Sequence, residues 1–136
     1  MDADKQNRAE ERYVEQYLEQ ELTGKILSCA FSVHNTLGAG FLERVYANSL
    51  AIEIRREGLA CAQETSLQVK YRDAIVGDYV ADMMVAGRVL LELKACAVLD
   101  GNHSAQIMNY LRASGLRVGL LLNFGRPKLE YRRFVL

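Results

Sequence analysis

The spacing of apolar residues along the chain predicts helices in its first half. From Thr23, apolar residues recur at helical spacing up to Leu37, and Thr23 is a residue type that caps helices. Gly38-Ala39-Gly40 would then form a flexible hinge. A second helix is predicted from residue 41 to residue 57, because Gly58 is typical of a helix end. Its expected buried face consists of Val45, Tyr46, Leu50 and Ile54.

After Gly58, apolar and polar residues alternate, which is the period of a β-strand. A further helix is expected between the third and fourth strands, capped at Asn102 or Ser104 and ended by Gly115. The order α-α-β-β-β-α-β-β predicts an α/β fold in which a mixed β-sheet is flanked by helices. The predicted strands cover residues 66–71, 75–85, 88–95, 118–124 and 129–136.

The third predicted strand carries two charges inside an apolar run. Because side chains alternate along a strand, Glu92 and Lys94 share a face with Leu90. A strand this apolar is typical of one covered on both faces, where a carboxylate and an ammonium need partners. The alternative interpretation is a solvated ion pair on an exposed strand face.

The length of the turn before this strand decides whether Asp82 lies near Glu92. A two-residue loop would place Asp82 opposite Leu91, on the other face. A three-residue loop at Val85–Gly87, with its glycine in the left-handed conformation, would instead place Asp82 opposite Leu90. Asp82 would then lie diagonal to Glu92, and one cation could contact both acids. We expect the three-residue loop.

Three polar side chains on or beside the predicted helices have both structural and chemical interpretations. Glu43 lies three residues before Tyr46 and is expected to point inward, either to satisfy amides at the helix start or to serve a site. His34 lies on an apolar stripe and is expected to be a packed, hydrogen-bonded residue. His103 is expected to cap a turn rather than to contact phosphate.

Charge divides the chain into two parts. Its 136 residues suit one domain, and its formal net charge is zero. Residues 1–21 hold seven acids and three bases and are expected to be a polar extension, so residues 22–136 hold ten acids and fourteen bases, a net charge of +4. Overall neutrality argues weakly against a nucleic-acid binder. The basic residues cluster at Arg126, Lys128, Arg132 and Arg133.

The same composition limits compartment and metal type. Cys29, Cys61 and Cys96 are far apart and form no C-x-x-C, so we expect buried, reduced thiols rather than a disulfide, zinc or iron-sulfur site. No apolar run approaches the ~20 residues of a membrane span, and the N-terminus lacks the apolar region of a signal peptide. A cytoplasmic protein without a membrane partner is therefore expected.

The acids near the third strand predict a metal site. Carboxylates crowded together raise one another's pKa values and therefore require a cation. Oxygen ligands without cysteine favour Mg²⁺ or Mn²⁺. A lysine beside such a metal can orient a water and offset charge on a phosphate, so this set suits hydrolysis of a phosphodiester. The set consists of Glu43, Asp82, Glu92 and Lys94, with Gln106 a fifth candidate that shares a helix face with Tyr110.

These residues resemble a known superfamily. Asp82, Glu92-Leu93-Lys94 and Gln106, preceded by a helix with Glu43, resemble the PD-(D/E)XK nucleases, although Ala81 stands where the superfamily's name has a proline. Residues 40–46, GFLERVY, match the pattern that names the GxxExxY family within it. The resemblance covers residues 22–136 and implies a single nuclease-like domain with a restriction-endonuclease-like sheet.

The resemblance also implies a role for each site residue. Asp82 and Glu92 would ligate Mg²⁺ or Mn²⁺, together with the backbone carbonyl of Leu93. Lys94 would position the attacking water and stabilise developing charge on the phosphate. Glu43 would be a further acid close to the metal and a candidate ligand. The supporting residues implied are Gln106, Tyr46 and Tyr110, and Tyr46 is equally well interpreted as a core aromatic.

The function implied is Mg²⁺-dependent hydrolysis of nucleic acid, with DNA as the expected substrate. A homodimer is expected, because its two sites could act on the two strands of a duplex. Two other readings stay open, because fold and motif do not fix a reaction. One is a catalytically silent nucleic-acid-binding or protein-interaction module on the same fold. The other is a purely structural ion pair at Glu92 and Lys94, which metal would not affect.

Overall fold

Helices cover both faces of one five-stranded sheet in the computed structural model, which describes residues 2–136 except the side chain of residue 15. The helices are α1 (Ala3–Tyr17), α2 (Gln20–Leu37), α3 (Glu43–Arg56) and α4 (Gly101–Ser114). The strands are β1 (Cys61–Tyr71), β2 (Ala74–Val85), β3 (Val89–Lys94), β4 (Val118–Asn123) and β5 (Glu130–Val135). No helix within residues 2–136 is long and apolar enough to cross a membrane.

The strands lie in the order β1-β2-β3-β4-β5, so β3 is central. β3 pairs antiparallel with β2 and parallel with β4, and the crossover to β4 runs through α4. Val89 to Leu93 are all buried, because helices cover both faces of this strand. The predicted mixed α/β sheet and its covered third strand are therefore confirmed.

Two apolar cores lie on opposite faces of the sheet. Leu91 and Leu93 belong to the core beneath α2 and α3. Leu90 belongs to the smaller core beneath α4, with Ile107 and Leu111 from that helix. This alternation places Glu92 and Lys94 on the α4 side, as predicted from their spacing with Leu90.

The helix starts differ from the predicted ones. α2 begins at Gln20, and Thr23 does not cap it, since its Oγ1 donates to the Gln20 carbonyl within the first turn. α4 is capped by Asp100, whose carboxylate accepts from the amides of Asn102 and His103. The predicted cap at Asn102 or Ser104 was therefore wrong.

The two histidines have structural roles. The ring of His103 accepts the Asp100 amide through Nδ1 at 3.2 Å and so completes the cap of α4. His34 is buried, and its Nε2 lies 2.8 Å from the carbonyl oxygen of Arg126. Both positions agree with the structural interpretation of these side chains.

Most of the N-terminal segment predicted as a polar extension forms α1, and the described side chains of this helix are exposed. Residue 1 lies outside the described residues, and the domain boundary at residue 21 stays a prediction. All three thiols are free, but only Cys29 is buried, so the expectation of burial was wrong for Cys61 and Cys96. β1 begins five residues before its predicted start of 66.

The turn between β2 and β3 has the predicted length but lies one residue later. Val85 pairs with Val89, so the loop is Ala86–Arg88 rather than Val85–Gly87. Ala86 and Gly87 both have positive φ values, 53° and 64°, and the Arg88 amide donates to the Val85 carbonyl. Such a turn matches the twist of the strands, and Arg88 is the third residue of the loop. Asp82 consequently faces Glu92 across the strands, rather than lying diagonal to it.

Candidate functional site

Two carboxylates lie where the strands β2 and β3 stop pairing through their backbones. The ladder ends at Met83 and Leu91. Beyond it, Oδ2 of Asp82 accepts the Leu93 amide at 2.8 Å. Oε1 of Glu92 accepts the Asp82 amide at 2.9 Å. Each acid therefore takes the place of a backbone carbonyl of its own strand as the acceptor for an amide of the opposite strand, and the two carboxylates are fixed beside each other.

β2 changes its side-chain alternation at Asp82. Ala81 packs into the core beneath α4, whereas Met83 packs into the core beneath α2 and α3, although a regular strand would point both to one face. On β1, Glu64 lies between the residues that pair with Ala81 and Met83, and its φ is 52°. This irregularity allows the Asp82 side chain to reach toward β3 and to line a cleft on the α3 side.

The two acids repel each other in a buried setting. Glu92 is only 3% exposed. Burial and, second, the Asp82 carboxylate raise the pKa of Glu92 from 4.5 to about 8, although the Asp82 amide and Lys94 act in the opposite direction. Glu92 therefore holds its proton more firmly than an ordinary carboxyl group, and a divalent cation beside it would favour the charged form.

Lys94 is held by a chain of hydrogen bonds from α4. Its Nζ donates to Oε1 of Gln106 at 3.1 Å, and Nε2 of Gln106 donates to the hydroxyl of Tyr110 at 3.1 Å. Burial and, second, the charge of Glu92 raise the pKa of Tyr110, so its hydroxyl keeps its proton. Gln106 and Tyr110 thus fix the ammonium on the same face as Glu92.

The cleft beside Asp82 has a volume of about 420 Å³. Its walls come from the start of α3, from β1, and from Asp82 and Leu93. Glu43 lines this cleft and is exposed, so the prediction that it points into the core was wrong. Glu43 is the first residue of α3, where no further turn covers it. Val45, also predicted to be buried, is 38% exposed.

The donor set of the acid pair fits a small divalent cation. Asp82 and Glu92 each accept a backbone amide through one oxygen, and a side-chain hydrogen bond also joins the two carboxyl groups, so their oxygens lie close enough together to share one cation. Within residues 2–136, no group of three or more His, Cys, Asp or Glu residues could hold a metal. Mg²⁺ typically binds one or two carboxylates and keeps several waters, so two acids with backbone and water oxygens suit it.

Tyr46 is a core residue that braces the segment before α3. It is fully buried and stacks on Phe124, with ring centroids 4.7 Å apart. Its hydroxyl donates to the Gly38 carbonyl at 2.6 Å and accepts the Phe41 amide at 3.1 Å. Tyr46 therefore fixes the hinge that leads to Glu43, and it does not line the cleft.

Asn123 is a site-supporting residue that the sequence reading missed. It is fully buried, and its Oδ1 accepts the amides of Cys96 and Gly125 at 3.1 and 3.0 Å. Its Nδ2 donates to the Cys96 carbonyl at 2.9 Å. A Cβ atom on Gly125 would lie 2.3 Å from the Cys96 nitrogen. Asn123 and Gly125 thus hold the backbone just after Lys94, and the available signal was a polar residue ending an apolar strand.

Comparisons with known proteins agree with this geometry. A family model described as the PD-(D/E)XK nuclease superfamily matches residues 20–134. The crystal structure of SSO0001 is similar in fold, with a TM-score of 0.55 and 15% identity. The similarity covers 88% of this chain and 59% of SSO0001. No curated protein sequence matches. Because the family model spans most of the sequence, the chain belongs to the PD-(D/E)XK nuclease superfamily.

Proposed function

We propose that the chain is a nuclease that hydrolyses phosphodiester bonds of nucleic acid, with DNA as its substrate and Mg²⁺ or Mn²⁺ as its cofactor. The observation that carries the proposal is the pair of adjacent carboxylates, Asp82 and Glu92, with Lys94 on the same strand as Glu92. We further assign the chain to the GxxExxY family, since residues 40–46 read GFLERVY and residues 41–44 of this segment line the cleft beside Asp82.

Asp82 and Glu92 would hold the metal, with the backbone carbonyl of Leu93 as a third oxygen donor. Glu43 lines the same cleft as Asp82 and would be a further acid close to the metal and a candidate ligand. When bound, the metal would polarise the phosphate and lower the pKa of a coordinated water. The two acids would fix the position of the metal, because backbone amides hold both carboxylates.

Lys94 would act on the substrate phosphate. Its ammonium carries up to three donors, and Gln106 accepts one of them. The remaining donors can orient the attacking water and bind the phosphate oxygens as negative charge develops on them. Gln106 and Tyr110 are positioning residues in this proposal, because they act through Lys94.

A catalytically silent nucleic-acid-binding or protein-interaction module is the second candidate, and the charge distribution favours it. The cleft beside Asp82 has three acids, Glu43, Glu64 and Asp82, against Arg44, and the whole chain has no net charge. Such a cleft attracts a polyanion only when cations lie in it. Both candidates predict metal binding, but only the nuclease predicts turnover.

The test is cleavage of plasmid DNA, single-stranded DNA and RNA with Mg²⁺ or Mn²⁺. The wild type is compared with Lys94→Ala, with Asp82→Asn, and with the matched surface variant Lys25→Ala, whose side chain is half exposed on α2. We expect the wild type and Lys25→Ala to cut at the same rate, and the two site variants to lose about a hundredfold or more. Equal rates in all four proteins, or no cutting by any, would rule out the nuclease. Cutting of duplex DNA on both strands would call for a homodimer.

A further inference from the structure

The cleft beside Asp82 carries more than acids. An aromatic ring, a cation and two amides line it, and the metal site described above uses none of them. Its volume of about 420 Å³ is at the small end of ligand pockets, which span roughly 300–1,000 Å³. A duplex does not enter a space of this size, whereas one unpaired nucleotide does.

Phe41 lies at the rim of this cleft, and its ring is 48% exposed. The backbone behind it is fixed, because the Phe41 amide donates to the buried hydroxyl of Tyr46. The next residue, Leu42, is 82% exposed. An apolar pair held in solvent by a rigid segment marks an interaction site. Aromatic rings of this kind stack on the bases of single strands, and they do so with any base.

Arg44 is the one basic side chain among the described residues that line the cleft. Its Nη2 lies 2.8 Å from Oε1 of Glu64, and both side chains are largely exposed. An exposed ion pair of this kind contributes at most about 1 kcal/mol, so a phosphate can replace the carboxylate as the partner of Arg44. Glu64 thus competes with an incoming phosphate for the same guanidinium.

Asn48 and Gln63 are the two side-chain amides of the cleft. Nε2 of Gln63 donates to Oδ1 of Asn48 at 3.0 Å, and both residues line the cleft. Each amide keeps further donors and acceptors after this bond. Side-chain amides are the groups that bind the exposed edges of unpaired bases.

We propose that this cleft is a subsite for one unpaired nucleotide next to the bond that is cut: Phe41 stacks on the base, Arg44 leaves Glu64 to bind a phosphate, and Asn48 and Gln63 contact the base edge. The inference rests on the proposed function and adds to it a substrate class, a single-stranded or locally unpaired nucleic acid. A protein partner on the exposed apolar pair is the competing occupant, and oligonucleotide binding that does not depend on Phe41 and Arg44 would favour it.

The test measures binding in a Lys94→Ala background with Mg²⁺, so that the probe stays intact. The probe is a single-stranded DNA oligonucleotide of roughly ten nucleotides with one 2-aminopurine, and its duplex serves as the comparison. We expect the single strand to bind with fluorescence quenching and the duplex to bind at least about tenfold more weakly. Phe41→Ala should remove the quenching and weaken binding at least about fivefold.

Arg44→Ala should weaken binding and lower the slope of log affinity against log salt by about 0.7, the value for one phosphate of a single strand. Glu64→Gln should act in the opposite direction and tighten binding, which a loss of folding could not produce. The matched control for Arg44 is Arg56→Ala, an exposed arginine on the same helix whose partner is Glu53. The control for Phe41 is Phe31→Ala, which is 40% exposed on α2.

The inference would be overturned if the Arg44 and Arg56 variants bound the single strand with equal affinity. Stronger binding of the duplex than of the single strand, or no binding of any oligonucleotide, would also overturn it. Cleavage by the chain with Lys94 intact is measured in parallel. If the chain cuts nucleic acid and the rate does not depend on Phe41 or Arg44, the nuclease proposal stands and the subsite proposal fails. If binding depends on Phe41 and Arg44 but no cutting is seen, the nucleotide-binding cleft stands and the nuclease proposal fails.

Discussion

The two halves of the pair β2–β3 are built in different ways. From Met83 to Val85, β2 forms a regular ladder with Val89–Leu91, and these paired residues are buried and apolar except for half-buried Met84. At Asp82 and Glu92, beyond the end of this ladder, side-chain carboxylates accept the backbone amides. Glu92 is buried there and Asp82 is half-buried. One strand therefore contributes both to the apolar core and to the candidate site.

Along β3, the residues that stabilise the fold are therefore different from the residues of the candidate site. Residues of the regular half are held by burial of apolar area and by complete backbone pairing. Residues of the carboxylate half place charge where burial opposes it, so this half is expected to destabilise the fold until a cation binds.

The largest effect is expected from Leu91→Ala in the regular half. Leu91 is fully buried in the core beneath α2 and α3, so its truncation leaves a cavity. We expect a loss of about 2–5 kcal/mol in the free energy of unfolding, measured by urea denaturation. Leu136→Ala, at an exposed terminal leucine, is the matched control and should change stability little. A loss under about 1 kcal/mol for Leu91→Ala would contradict this view of the regular half.

Glu92→Gln is expected to change the pH dependence of stability in EDTA. The pKa of Glu92 is about 8 in the fold against an ordinary value of 4.5, so the unfolded chain loses this proton at lower pH than the fold does. The stability contributed by the protonated Glu92 carboxyl is fully present below pH 4.5, falls as the pH rises, and is lost once the pH passes about 8. The wild type should thus lose up to about 1.4 kcal/mol per pH unit across this window.

The Glu92→Gln variant should lack this loss and should exceed the wild type in stability at about pH 8. Urea denaturation at several pH values checks it, and Glu21→Gln, at an exposed acid of α2, controls for a general effect of charge. Parallel pH curves for the wild type and Glu92→Gln would show that the carboxylate half carries no electrostatic strain.

Asn123→Ala is expected to cost about 1–3 kcal/mol, because it leaves the buried backbone groups of Cys96 without their partner. It should also lower the rate of cleavage, since this backbone follows Lys94 directly. Thermal denaturation and the cleavage assay check the two effects. Retention of full activity despite a stability loss would show that Asn123 supports the fold but not the position of Lys94.

Tyr110→Phe is expected to have the smallest effect on stability, about 1 kcal/mol or less, because it removes one hydroxyl that Gln106 bonds. Its effect on cleavage should be larger than its effect on stability, since Gln106 then holds Lys94 less firmly. Tyr79→Phe is the control. The ring centroids of Tyr79 and Tyr110 are 5.6 Å apart, but the Tyr79 hydroxyl takes no part in the series of hydrogen bonds that leads from Tyr110 through Gln106 to Lys94. Equal cleavage rates in both variants would contradict this role of Tyr110.

The order of the elements could be predicted from the sequence because periodicity is a local property. The alternation around Leu90 and the apolar run of β3 were enough to place Glu92 and Lys94 on one face and to bury the strand. The helix start at Gln20 could not be predicted, because Glu19 before it makes no side-chain cap. The sequence pattern predicts a helix start at a residue type that caps helices, but Thr23, the residue of that type, lies inside α2.

The relation of Asp82 to Glu92 depends on events that no local pattern encodes. The loop Ala86–Arg88 lies one residue later than expected, which shifts the pairing, and the change of alternation at Asp82 is accompanied by a positive φ at Glu64 on a different strand. Asn123 joins segments that lie far apart in the sequence. The roles of the site residues therefore stay predictions, even though the structure brings Asp82, Glu92, Lys94, Gln106 and Tyr110 together.

The central claim is that the Asp82–Glu92 pair binds a divalent cation, and calorimetric titration with Mg²⁺ tests it most directly. The wild type and Glu21→Gln should bind one ion with equal affinity. Asp82→Asn and Glu92→Gln should each lose about tenfold or more, which corresponds to at least ~1.4 kcal/mol. Affinity that stays unchanged in both site variants, or no binding by the wild type, would contradict the account.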